Sequence, residues 1–373
     1  MVRWSLCMIV RDEEAVLGRC LDSVRQLADE IILVDTGSED GTKEIAARFT
    51  PYIYEYPWQD DFSAARNFSF SKANGEYILW LDADDVVPRR SLELLMETKK
   101  QMDSNIDILM LPYQTAFDEA GNSLLTYERE RIVRNGPFSV WSGAVHEVIV
   151  PYGRIEHVNA PILHKKIKSG DENRNLRIYE KFLAQKGVLD DRQKYYYGRE
   201  LYAHGRYEEA EKIFRDIVET PEVWIENRIE ASRLLAYCKY ELGREEEALE
   251  ALIRSLAWAE PRAETCCDIG RHLYDRNNYK AAIFWYQAAL SLKKHPERGG
   301  FVEEDCYGFL PCIQLCLCYD RLGDYDRAEY YNEEAGKYKP WSEYYLQNKE
   351  YFRKKTIPSI QSKKSYPEKE KNR

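Results

Sequence analysis

Tyr77-Ile78-Leu79-Trp80-Leu81-Asp82-Ala83-Asp84-Asp85 is the stretch on which the reading of this chain turns. Five apolar residues in a row have the length and texture of a buried strand. They run straight into three carboxylates within four residues. Carboxylates so crowded repel one another unless a cation lies among them. Oxygen ligands with open positions suit Mg²⁺ or Mn²⁺ held together with a substrate phosphate. The alternative is that Asp85 caps the helix that follows and the other two are solvated.

Toward the N-terminus, short apolar runs alternate with helical periodicity. Residues 4–10, 31–34 and 52–56 read as strands. Residues 13–26, 42–49 (capped by Asp40) and 62–73 read as helices, and 88–102 as a helix with Pro88 in its first turn. Short buried strands separated by helices predict a mostly parallel α/β sheet. Ligands bind such sheets beyond the carboxyl ends of the strands, where Asp35 and Asp82 sit. From residue 107 the texture changes. Strands over 108–113 and 124–133 flank a turn at 119–122, and 138–150 and 161–164 complete a mixed, partly antiparallel sheet. A helix over 172–185, rich in Arg, Lys and Asn, leads away.

Beyond residue 195 the sequence repeats. Gly205-Arg-Tyr-Glu-Glu-Ala210, Gly243-Arg-Glu-Glu-Glu-Ala248, Asn277-Asn-Tyr-Lys-Ala-Ala282 and Gly323-Asp-Tyr-Asp-Arg-Ala328 align at offsets of 38, 34 and 46 residues. The pattern resembles the tetratricopeptide repeat, two antiparallel helices with small residues where they pack closely. Such pairs bury their apolar faces only by stacking into a solenoid. Glu245 stands where the usual aromatic would be, and the widest spacing holds a Gly299-Gly300 loop.

The expected organisation is therefore an α/β domain over 1–168, a helical linker over 169–194, repeats over 195–352 and a basic disordered tail over 353–373. The tail holds eight Lys/Arg and two Asp/Glu, against a whole-chain net charge of −10. That overall charge argues against a nucleic-acid binder. With 44% apolar and 13% aromatic residues over 373 positions, there is ample material for two cores. The acidic stop at Arg11-Asp12-Glu13-Glu14 does not suit a signal sequence, and no stretch nears the ~20 apolar residues of a membrane span. Nine scattered cysteines predict reduced thiols in the cytoplasm. Cys312, Cys316 and Cys318 invite a zinc reading, but only the first two share a helical face, and core packing is the expectation. Neither a Walker A loop nor G-x-G-x-x-G occurs.

Four motifs then carry a resemblance: Ser5–Glu14, Ile32–Ser38, Asp61–Asn67 and Ile78–Asp84, in this order. Together they resemble family 2 glycosyltransferases of the GT-A fold, a Rossmann-like mixed sheet. Within that family the chain is similar to members with tetratricopeptide-like repeats behind the transferase domain, including bacteriocin peptide S-glycosyltransferases. Val145-His146-Glu147, a histidine near His164 and Gly198-Arg199-Glu200-Leu201 would be shared with them. Asp12 departs from the commoner Asn.

The resemblance implies roles residue by residue. Asp35 would bond the nucleobase or ribose of a nucleotide-sugar, and Asp82 the ribose or sugar. Asp84 would ligate the metal, with His164 a ligand or a core histidine. Arg66 would lie near base and diphosphate, or on a helix surface. Glu13 would support the first loop, or serve as a helix N-terminal charge. Glu147 would be the base that deprotonates the acceptor, or an exposed strand carboxylate. His146, on the opposite face if the segment is extended, is expected to be structural. The implied activity is inverting sugar transfer from a nucleoside-diphosphate sugar, UDP being the family's usual nucleotide, to a hydroxyl or thiol. The repeats would dock a peptide or protein acceptor or make a homodimer. Residues 195–340 hold 20 Lys/Arg and 28 Asp/Glu, which favours a basic or neutral partner. The rival expectation is a non-catalytic adaptor with a decayed transferase domain.

Overall fold

The computed structural model describes residues 2–167 and 170–361. By internal contacts it divides into two units. One comprises the described residues up to Ala248 together with His295–Val302, and the other Leu249–Lys294 with the described residues from Glu303 on. The division runs through the repeats.

In the first unit, β1 (Trp4–Val10), β2 (Glu30–Asp35), β3 (Ile53–Glu55) and β4 (Tyr77–Trp80) alternate with α1 (Leu17–Val24), α2 (Thr42–Ala46) and α3 (Phe62–Phe70). β5 (Asp85–Val86), α4 (Arg89–Gln101), β6 (Ile108–Phe117), β7 (Ser123–Arg134), β8 (Trp141–Ser142), β9 (Val148–Ile149), β10 (Ile155–His157) and β11 (Ile162–His164) follow. The main sheet runs β3-β2-β1-β4-β7-β6-β11-β5, with β10 beside β6. β3, β2, β1 and β4 are mutually parallel, and β7 enters antiparallel to both β4 and β6. Chain order reverses at β1, between β2 and β4. The crevice there opens at the carboxyl ends that carry Asp35 and Asp82.

β1, β4 and the inner residues of β2 are chiefly apolar because both of their faces are covered. Trp4, Leu6, Met8, Leu33 and Leu79 pack with Leu17, Leu21 and Val24 of α1 and Leu95 of α4 on one side. Cys7, Ile32, Ile78 and Trp80 pack with Phe70 of α3 and Trp141 on the other.

The repeats follow as helix pairs. α5 (Arg174–Lys186) leads to α6 (Asp191–Ala203), which pairs with α7 (Tyr207–Glu219); α8 (Ile225–Glu241) precedes α9 (Glu245–Arg254). In the second unit α10 (Ala263–Asp275) pairs with α11 (Tyr279–Ser291), and α12 (Phe309–Arg321) with α13 (Tyr325–Tyr338), before α14 (Glu343–Gln361). The four aligned motifs share one turn. Gly205, Gly243, Asn277 and Gly323 all have positive φ, between 60° and 77°. In each, the next residue's N–H reaches five residues back, as Arg206 does to the Leu201 carbonyl (2.9 Å) and Asp324 to Tyr319 (3.0 Å). That is the Schellman closure, which needs a left-handed residue and so favours Gly or Asn. Ala210, Ala248, Ala282 and Ala328, five residues on, are fully buried. A Cβ on Gly198 would come 2.8 Å from Phe214, and one on Gly270 2.8 Å from Tyr286, so the helices of those pairs touch through glycine.

Several expectations need correction. α1 begins at Leu17, not residue 13, because residues 12–14 are stitched to the next loop. Asp12 N–H donates to Ser38 Oγ, Asp12 Oδ1 accepts Glu39 N–H, and Glu14 Oε2 accepts Gly41 N–H. Residues 138–150 hold only the two short strands β8 and β9, since Gly143 and His146 adopt left-handed backbone that breaks an extended run. The two-residue β5 and three-residue β10 are too short for periodicity to reveal. The expected disordered tail from 353 is helical as far as Gln361, and its remainder lies outside the described residues. Among the described residues no helix is long and apolar enough to cross a membrane.

Candidate active site

The site is built from charged side chains that the sheet cannot bury singly. Arg66 lies on the inner face of α3, whose first turn is fixed by Asp61, the cap that accepts the Ala64 N–H at 3.0 Å. The guanidinium lies against both Trp80 and Trp141, at 5.0 and 4.9 Å from the ring centroids. Arg66 is 7% exposed, which discards the helix-surface alternative. Its Nη2 donates to Asp82 Oδ1 and its Nε to Glu147 Oε1, both at 2.6 Å. Two candidate residues 65 positions apart thus share one planar fork, a geometry that guanidinium provides and ammonium does not. Burial pushes the Asp82 carboxyl up, and the nearby Arg66 and Arg131 charges more than reverse this, leaving it below the usual range.

A second cluster adjoins the first. Asp85 is fully buried, which discards the alternative that it caps the following helix. The helix begins after Pro88 with no side-chain cap. Asp85 Oδ2 accepts Arg131 Nη1 at 3.0 Å and the Asp82 N–H at 2.9 Å; Oδ1 accepts the Tyr113 hydroxyl at 2.8 Å. His164, at the end of β11, places Nδ1 3.2 Å from Asp84 Oδ1, 3.4 Å from Asp85 Oδ1 and 2.7 Å from the Tyr113 hydroxyl. Burial depresses the His164 pKa, but the bonds to Asp84 and Asp85 outweigh it and push it up to about 10. Asp84, Asp85 and His164 offer ligand atoms within 4.8 Å of one another. They fit a divalent cation. Asp85 is fully buried against Arg131, whereas Asp84 and His164 are partly exposed and so are the groups a cation can reach.

Asp35 ends β2 and is 2% exposed; its oxygens accept the N–H groups of Gly37 (3.2 Å) and Ser38 (3.1 Å), with Lys43 Nζ at 3.5 Å. Glu13 contributes backbone: its N–H donates to Thr42 Oγ1 and its carbonyl accepts Val16 and Leu17. These two residues belong to the β1–β2 end of the crevice, each with its own local partners.

His146 faces away from Glu147, as expected, although the cause is its left-handed backbone (φ 50°) and not an extended one. Its Nε2 donates to Glu200 Oε1 at 2.9 Å, and its ring stacks on Tyr196 at 4.3 Å and 10°. The Val145–Glu147 and Gly198–Leu201 segments therefore meet. A cavity of about 290 Å³, walled in part by Val145, Tyr179, Arg192 and Tyr196, adjoins them.

Sequence reasoning missed Tyr113, Glu130, Arg131 and Glu200. One signal was available. Tyr127-Glu-Arg-Glu-Arg-Ile-Val133 puts four charges in a strand that must lie mid-sheet, and such charges are buried only when paired. Arg129 pairs with Glu130 (3.1 Å), and Arg131 lies 3.8 Å over Trp80.

Comparison with known proteins accords with this architecture. Residues 5–137 match the family described as Glycosyl transferase family 2, and residues 263–296 match the tetratricopeptide repeat. A TPR repeat-containing protein of Synechococcus elongatus is 40% identical over 154 residues, covering 40% of this chain and 36% of its own. The SPbeta prophage-derived glycosyltransferase SunS of Bacillus subtilis is 28% identical over 217 residues, covering 54% and 50%. The lipopolysaccharide core biosynthesis glycosyltransferase LpsC of Rhizobium meliloti is 28% identical over 160 residues, covering 40% and 58%. Among solved structures, S. aureus TarS is similar at 14% identity and a TM-score of 0.39, covering 67% of this chain and 55% of that one. The chain thus spans between about a third and three fifths of the curated relatives it matches. With its mixed sheet ending in carboxylates and its helix pairs closed by left-handed turns, the chain carries a family 2 glycosyl transferase domain followed by tetratricopeptide repeats.

Proposed function

We propose that this chain is an inverting glycosyltransferase that moves a sugar from a nucleoside-diphosphate donor, UDP-linked by preference, to a hydroxyl or thiol of a peptide or protein acceptor docked by the repeats. The observation that carries the proposal is the shared guanidinium: Asp82 and Glu147 on two arms of Arg66, beside Asp84, Asp85 and His164. A decayed adaptor would have no reason to keep so costly a buried charge network intact.

Glu147 takes the proton from the acceptor. The acceptor oxygen or sulfur attacks C1 from the face opposite the diphosphate. The new bond to C1 forms as the C1–O bond to the leaving diphosphate breaks, and the configuration inverts. A thiol, with pKa ~8.5, needs less help than a hydroxyl. Asp82 bonds the ribose or sugar, Asp35 the base or ribose, and Glu13 supports the loop around them. Arg66 gives Nε–H to Glu147 and an Nη2–H to Asp82, so it aims both carboxylates, and its other N–H groups serve the base and diphosphate of the donor. Asp84 and His164 would hold Mg²⁺ or Mn²⁺, which when bound neutralises charge growing on the departing diphosphate. The acidic balance of the repeats supports a basic or neutral acceptor segment. Nine free, buried cysteines support a reducing compartment, the cytoplasm.

A panel of nucleotide-sugars, with and without Mn²⁺, tests this by melting shift and donor hydrolysis. A ligand at 100 times its Kd adds ~2.7 kcal/mol of stability. If no nucleotide-sugar raises the melting temperature and none is hydrolysed, the reading fails.

A further inference from the structure

The loop that carries Glu147 is held from two directions. From β7, Arg129 Nη2 donates to the Glu147 carbonyl at 3.3 Å, and Glu130 Oε1 accepts the Ile149 N–H at 3.3 Å. From α6, Glu200 accepts the His146 Nε2–H, Arg192 Nη2 donates to the His146 carbonyl at 3.2 Å, and Tyr196 stacks on the imidazole. Asn175 of α5 donates to the same Glu200 oxygen at 3.0 Å, so that carboxylate is itself fixed. His146 sits at φ 50°, a conformation uncommon outside glycine. Its reversal sends the imidazole toward α6 and the Glu147 carboxylate toward Arg66.

We infer that Glu200, on the first helix of the repeats, is a positioning residue for the base: through His146 it holds the turn that presents Glu147 to Arg66. The inference rests on the reading of Glu147 given above. It gives the Gly198–Leu201 segment a task in the transfer step, distinct from the docking of an acceptor. A transferase piece ending before α6 would lack Glu200, Arg192 and Tyr196 together, and would lose the α6 side of the clamp.

The test uses the full chain with Glu200→Ala, Glu200→Gln and Tyr196→Leu. Donor hydrolysis with Mn²⁺ gives kcat and KM, and amide hydrogen exchange is followed over residues 143–149. Glu200→Ala should lower kcat roughly 10–100-fold, the scale of a misplaced catalytic group. Its KM should stay within about threefold, since donor contacts lie elsewhere. Glu200→Gln, whose amide oxygen still accepts from His146, should recover most of the rate. Exchange over 143–149 should accelerate in Glu200→Ala and in Tyr196→Leu but not in Glu200→Gln. Wild-type kcat in Glu200→Ala, equal losses in both Glu200 variants, a change in KM alone, or unaltered exchange would each overturn the inference. If the wild-type chain turns over no nucleotide-sugar, the functional reading fails, and the exchange arm still decides whether Glu200 holds the loop.

Discussion

Replacing Arg66 by methionine removes the guanidinium while keeping much of its apolar contact with Trp80 and Trp141. Both ion pairs, each 2.6 Å long, are lost at once. Removing one partner of a buried pair costs about 3–5 kcal/mol, because the other charge stays buried and unpaired. Here the cost falls mainly on Glu147, whose side chain is 11% exposed; the Asp82 side chain, at 31%, regains water and adds less. The total should therefore stay near the cost of one pair. At 2–4 °C per kcal/mol for a unit of this size, the melting temperature should fall by roughly 6–20 °C. Near-ultraviolet circular dichroism is a suitable monitor, since Trp80 and Trp141 meet edge to face at 4.7 Å around this residue. Donor hydrolysis should fall ~100-fold as the two carboxylates lose their common aim. Arg66→Lys keeps the charge but cannot span both carboxylates, so it should restore part of the stability and little of the rate. A methionine variant that melts within about 2 °C of the wild type and hydrolyses donor at its rate would refute the argument.

Asp84→Ala should abolish the Mn²⁺-dependent part of the donor-induced melting shift, which titration of the variant with metal and nucleotide checks directly. Glu147→Gln should keep donor affinity and lose roughly 10²–10⁴ in transfer to a hydroxyl. With a thiol acceptor, that loss should shrink as pH rises through ~8.5, where thiolate forms unaided; a rate profile from pH 6.5 to 9.5 reads it. Gly270→Ala should cost about 1–3 kcal/mol by denaturant unfolding, because its methyl would meet the Tyr286 ring at 2.8 Å. Burial pushes the Cys312 and Cys316 thiols up to about 12. They should therefore resist alkylation until the second unit unfolds, and replacing each by alanine should cost only about 1 kcal/mol; stoichiometric zinc lost in the double variant would contradict this.

Much of the site was legible because its residues stand where a strand ends. Asp35 and Asp82 follow apolar runs, and Asp84 lies two residues further on. Glu147 and His164 were reached through the resemblance alone. The cap alternative for Asp85 stayed open because spacing alone cannot show that this carboxylate faces a buried arginine 46 residues away. Glu200 went unassigned because its partner, His146, is 54 residues distant in sequence.

What the sequence determined by itself is whatever depends on neighbours along the chain. Runs of four to seven apolar residues dictate strands covered on both faces. A glycine or asparagine followed five residues later by alanine dictates a left-handed helix stop and a close helix crossing, four times over. Those are local constraints of backbone sterics and periodicity. The tertiary structure alone decided which charges would pair. Buried ions must find partners wherever the fold brings opposite charge within reach, and sequence distance places no limit on that search. Arg66 therefore joins Asp82 to Glu147, Arg131 finds Asp85, and Glu200 reaches His146 across a left-handed turn that no periodicity foretells.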